Sequence, residues 1–83
     1  MGIKIFVRNL PFAFDDERLR SEFSQFGDIE SASIVYDKRR NRSCGYGFVV
    51  FSEPSGADAA IAEMNEQSLD GRTITVEMAL KQD

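Results

Sequence analysis

Two short stretches of the chain carry rings and cations at a spacing that could do chemistry. In the first, Lys4, Phe6 and Arg8 alternate with Ile3, Ile5 and Val7; in the second, Tyr46, Phe48 and Val50 alternate with Gly45, Gly47, Val49 and Phe51. Period-two alternation sends successive side chains to opposite faces of a strand. Cations do not enter an apolar core unpaired, so Phe6 is expected on an open face between Lys4 and Arg8. The second stretch does not choose its buried side by pattern alone. Gly47 would let a helix pack close to the backbone, and if Val49 and Phe51 face the helices, Tyr46 and Phe48 join Phe6 in the open. Three adjacent rings framed by cations suit unpaired bases, which stack for roughly 1–3 kcal/mol each while Lys and Arg hold the phosphates. The competing reading of these rings is plain core packing.

Other chemistries find little support. The 83 residues include no histidine, which removes the commonest general base and metal ligand. The single cysteine, Cys44, has neither a histidine nor a second cysteine to activate it, so it reads as a bystander thiol. It also has no internal disulfide partner, which favours a reducing compartment. An acyl-phosphate hydrolase on a related element order would need an anion cradle before a helix, with a catalytic arginine. Leu10-Pro11-Phe12-Ala13-Phe14 supplies neither glycine nor cation. The expectation is therefore a chain that is not an enzyme and holds no cofactor or metal. No apolar run is long enough to span a membrane, and the beginning Met1-Gly2-Ile3-Lys4 lacks a signal-peptide pattern.

Charge is unevenly placed. The net charge is −4, yet residues 37–42 set four cations (Lys38, Arg39, Arg40, Arg42) against one anion, Asp37. The acids gather in Asp15, Asp16, Glu17 and Glu22, and again in Asp58, Glu63 and Glu66. The basic stretch 37–43 reads as a loop, with two uses open: a solvated hairpin tip, or a phosphate contact through Arg40 and Arg42.

The elements that would position these groups follow from period and caps. Residues 3–9 form a strand, closed by Leu10-Pro11 because proline cannot donate to a ladder. Residues 15–26 form a helix with Leu19, Phe23 and Phe26 as its apolar stripe, Asp15 or Asp16 as cap and Gly27 as stop. Residues 29–36 and 45–51 are strands. Pro54 opens a second helix with Ala57, Ala60, Ile61 and Met64 inward; Gly56 costs its first turn up to ~1 kcal/mol relative to alanine. Asp70-Gly71 turns into a fourth strand over 73–78, with Ile74 and Val76 inward. The order β-α-β-β-α-β is an α+β, ferredoxin-like split arrangement: a four-stranded antiparallel sheet with two helices on one face. Right-handed crossovers put the first and third strands in its centre. One domain is expected over 1–83, with its core at about 3–79 and a short tail at 80–83.

The same residues resemble a known family. Ile5-Phe6-Val7-Arg8-Asn9-Leu10 is similar to the six-residue ribonucleoprotein motif of RNA-recognition-motif domains. Cys44-Gly45-Tyr46-Gly47-Phe48-Val49-Val50-Phe51 is similar to their eight-residue motif. Leu19, Phe23, Phe26-Gly27 and Leu69-Asp70-Gly71-Arg72 extend the match, which covers the chain from Ile3 to Ala79. The resemblance implies that Phe6 and Tyr46 each stack on a base and that Phe48 packs on the sugars. It implies that Arg8 contacts phosphate or a base edge and that Val50 lies on the same surface. Residues 77–81, through Glu77, Ala79 and Lys81, would read base edges, and Lys4 would add a cation. Cys44 departs from the pattern, standing where the family usually has Lys or Arg; Arg42, two residues away, could substitute. With the acidic net charge, modest affinity is expected.

The expected partner is single-stranded RNA, with single-stranded DNA open as a second ligand. The chain is expected to be monomeric, off the membrane, and intracellular, whether nuclear, cytoplasmic or organellar. The alternative is a protein-interaction domain of the same fold that uses its acidic helical face.

Overall fold

The structure is a computed structural model, and it describes residues 2–79. Lys81, expected at the binding surface, lies outside them. Six strands and two helices follow in the order β1 (Ile3–Arg8), α1 (Asp16–Phe23), β2 (Ile29–Asp37), β3 (Arg42–Phe51), α2 (Pro54–Met64), β4 (Ser68–Leu69), β5 (Arg72–Thr73) and β6 (Thr75–Met78). The main sheet is antiparallel with order β2-β3-β1-β6, so β1 and β3 are central, as right-handed crossovers require.

The helices start and stop for local reasons. Asp15 is the N-cap of α1, its carboxylate accepting from Arg18 N at 2.8 Å. Asp16 does something different. Its carboxylate accepts from Ile34 N at 2.7 Å, where β2 slips register against β3, and so ties the helix to the sheet. The α-helix ends at Phe23, and Ser24–Phe26 tighten into a 3₁₀ turn before Gly27. Pro54 occupies the first turn of α2.

The core is the helix-facing side of the sheet. Ile5, Val7, Val49, Phe51 and Val76 are buried against Leu19 and Phe23 of α1 and Ala57, Ala60 and Met64 of α2. Two glycines set the spacing. A Cβ at Gly47 would lie 2.5 Å from Ser33 O and 3.2 Å from Leu19 Cδ2, so β2 and α1 both close on this point. A Cβ at Gly56 would lie 2.8 Å from Phe51 Cδ2, which makes this glycine a packing requirement of α2 and more than a weak helix former.

Two expected boundaries move. The loop expected at 37–43 shortens to 38–41, because Asp37 pairs with Arg42 and Tyr36 with Ser43; Asn41, at φ 54°, supplies the left-handed residue of the turn. The fourth strand, expected from 73, begins at Thr75. Thr73 pairs with Ser68 in a two-residue hairpin around Asp70-Gly71, and Ile74 exchanges hydrogen bonds with Glu66 and Gln67 (2.8 and 2.9 Å). The chain leaving α2 thus takes up the groups that would otherwise have lengthened the strand.

Candidate nucleic-acid interface

The face of the sheet opposite the helices carries the rings. Register pairs Phe6 with Phe48, Arg8 with Tyr46 and Lys4 with Val50 across β1 and β3, and Phe6 with Glu77 across β1 and β6. Along β3 burial alternates: Ser43, Gly45, Gly47, Val49 and Phe51 are buried, while Tyr46, Phe48 and Val50 are half-buried on the open side. The parity that the sequence left undecided is settled by Gly47, whose missing side chain leaves room for the close approach of Ser33, Ile34 and Leu19.

The three rings form one platform. Phe6 stacks on Phe48 with centroids 5.0 Å apart and planes 21° apart, and meets Tyr46 edge-on at 5.5 Å and 78°. Such pairs add about 0.5–1.5 kcal/mol beyond burial, so the platform is held in shape before any ligand arrives. Two cations lie across it: Lys4 Nζ is 5.0 Å from the Phe48 centroid and Arg8 Cζ is 5.8 Å from that of Phe6. Their alkyl stems cover apolar surface while their charges stay in water. Arg8 also meets Glu77, Nε to Oε2 at 3.4 Å, with both side chains about half exposed (52% and 48%). An exposed pair of this kind is worth about 0.2–1 kcal/mol, weak enough for a phosphate to replace the carboxylate. Ala79 N donates to Lys4 O at 3.1 Å, which carries the chain after β6 along the same edge of β1.

The structure does not bring the hairpin cations to this platform. Arg40 is 68% exposed and turned toward Asp37 of its own loop at 3.8 Å. Arg42 lies over the ring of Phe12, at 5.8 Å. Cys44 is exposed between them and Tyr46.

Sequence reasoning did not single out Phe12, Asn9 or Arg72 as site residues, and the structure gathers all three at the end of β1. Asn9 adopts φ 62°, a left-handed conformation that asparagine tolerates, and its Nδ2 donates to Thr73 O at 2.6 Å. Arg72 Nε donates to Asn9 O at 3.3 Å and its Nη2 to Asn9 Oδ1. Arg72 Cζ stands 5.4 Å from the Phe12 centroid. The available signal was weak: an aromatic in a connection, where polar residues are the norm.

A model of the RNA recognition motif family matches residues 5–75. Among curated relatives, a chloroplastic 31 kDa ribonucleoprotein of Nicotiana sylvestris is 46% identical over 76 residues, which is 92% of this chain and 24% of that protein. A polyadenylate-binding protein, cytoplasmic and nuclear, of Eremothecium gossypii is 43% identical over 82 residues, 99% of this chain and 14% of that protein. The chain thus spans a quarter or less of the length of these two relatives. Among solved structures, the second such domain of a yeast poly(U)-binding protein superposes with a TM-score of 0.85 at 34% identity, covering 98% of each chain.

Proposed function

The chain belongs to the RNA recognition motif family, and from that premise we propose that it is a binding module for single-stranded RNA whose work is done on the open face of the sheet, without catalysis. One observation carries this reading: Phe6, Tyr46 and Phe48 stand as a connected, half-exposed platform with the charges of Lys4 and Arg8 over it. Bases stack on Phe6 and Tyr46, and Phe48 supports the sugars. On binding, Lys4 and Arg8 leave the ring faces to bases and turn to phosphates; Arg8 exchanges the Glu77 carboxylate for a phosphate oxygen. Val50, Glu77 and Ala79 border the bases. Arg40 acts at the periphery, through the field of the hairpin, and Arg42 stands beside it over Phe12.

Phosphate neutralisation by two or three cations in a chain of net charge −4 gives modest affinity that falls with salt. The module acts as a monomer, and single-stranded DNA binds the same platform more weakly wherever a 2′-hydroxyl is read. No helix among the described residues is long and apolar enough to cross a membrane. We place the module inside the cell; relatives named for the chloroplast and for the cytoplasm and nucleus share the domain, so the domain does not set the compartment.

The test is selection from randomised single-stranded RNA, followed by nuclear magnetic resonance (NMR) mapping of the winner. Shifts concentrated on Lys4, Phe6, Arg8, Tyr46, Phe48 and Glu77 are expected. Shifts confined to α1 and α2 would defeat the reading.

A further inference from the structure

Phe12 is 56% exposed, more than any other large apolar side chain among the described residues. It is nevertheless held in place. Leu10 N donates to Gly45 O at 2.8 Å, pinning the end of β1 to β3, and Phe14 N donates to Pro11 O at 3.1 Å, closing a turn around Phe12. Gly45, at φ 85°, presents bare backbone beneath the ring: a Cβ there would lie 3.2 Å from Phe12 Cε1. Two guanidinium groups attend the ring, Arg42 from β3 and Arg72 from β5. Arg72 is aimed by its two hydrogen bonds to Asn9, so its position is set before a ligand arrives. An open trough of about 380 Å³ runs from Tyr46 and Arg8 to Phe12 and Arg72, so the platform and this outlying ring share one surface. That volume falls within the 300–1,000 Å³ range of ligand clefts.

We infer that Phe12, Arg42 and Arg72 form a further nucleotide subsite beyond the end of the sheet, stacking one base on the Phe12 ring and holding the adjoining phosphate between the two guanidinium groups. The inference rests on the reading of the sheet as the RNA surface and extends it by one subsite. A ring with cations on it and an open path to a stacking platform matches the alternation of base and phosphate along a single strand. An acidic peptide would use the cations and leave the ring idle. Binding turns one guanidinium from the ring face to the phosphate and gives its place to the base. A strand long enough to leave the platform past Tyr46 reaches the subsite; a shorter one ends on the sheet.

The experiment is NMR titration of the protein with random-sequence RNA tetramers and octamers, alongside an octaglutamate peptide. F12A is expected to weaken octamer binding roughly tenfold, within the range one stacked base contributes, and to leave tetramer binding unchanged. F12Y restores the octamer affinity. F12L, which keeps an apolar side chain over Gly45, does not, and this separates stacking from support of the fold. R42Q lowers the salt slope for the octamer by about 0.7, one single-strand phosphate. Equal octamer affinity in wild type, F12L and F12A would overturn the inference; F6A losing both lengths in the same series would show that the sheet reading survives it. Undiminished binding by F6A would overturn both. Octaglutamate binding as tight as the octamer and indifferent to Phe12 would overturn the nucleotide assignment.

Discussion

Replacing the Phe6 ring tests stacking against packing at the centre of the platform. Phe6 sits between its partners, face to face with Phe48 at 5.0 Å and edge-on to Tyr46 at 5.5 Å. Phe6→Ala deletes one stacking surface, worth roughly 1–3 kcal/mol, which is about 5- to 150-fold in Kd. It also deletes two ring pairs of about 0.5–1.5 kcal/mol each and about 1 kcal/mol of apolar burial from the half-buried ring, so stability falls by roughly 2–4 kcal/mol. A domain of ordinary stability, about 5–15 kcal/mol, survives that loss, so the folded variant can be titrated. Phe6→Leu keeps most of the apolar contact with Phe48 and removes the flat face; its stability should stay within about 1 kcal/mol of wild type while binding falls nearly as far as in the alanine variant. Fluorescence anisotropy with the selected RNA gives the affinity, and urea unfolding of the same samples gives the stability. A Phe6→Leu variant that binds like wild type would show that the ring is packing alone, and the stacking argument would fail.

Two more predictions test what holds the site. Glu77→Gln releases Arg8 and makes the chain one charge less negative, so RNA affinity should rise about two- to fivefold at low salt, with a steeper salt dependence; a fall in affinity for every sequence would refute the competition between carboxylate and phosphate. Gly47→Ala places a Cβ 2.5 Å from Ser33 O and 3.1 Å from Ile34 Cα, both backbone atoms that cannot swing away, and should cost about 1–3 kcal/mol, read as a lower urea midpoint with unchanged slope; an unmoved midpoint would contradict the close approach of β2.

Much of the platform was legible in the sequence. A cation on either side of Phe6 fixes which face of β1 is open, because charge and burial exclude each other over two or three residues. Asp15, Pro54 and Asp70-Gly71 mark caps and a turn by their own chemistry. Boundaries were less legible where the ladder was contested. The fourth strand starts late because residues 66 and 67 bond Ile74, and the hairpin strands run further because Asp37 and Arg42 pair across the loop. Gly56 looked like a weak point of α2 until Phe51 and the carbonyl of Phe26 were seen against it.

By itself the sequence determined the element order, the two helical stripes and the open side of β1, since these depend on side-chain type at short, regular spacing. The tertiary structure decided the rest, because it depends on which distant residues meet. Gly47 at the β2 backbone turned Tyr46 and Phe48 outward. Arg8 found a carboxylate on β6. Asn9, bent into a left-handed turn, joined the end of β1 to Thr73 and Arg72 and set a cation beside Phe12. No period along the chain encodes contacts between residues sixty or more positions apart; they exist only once the sheet has closed.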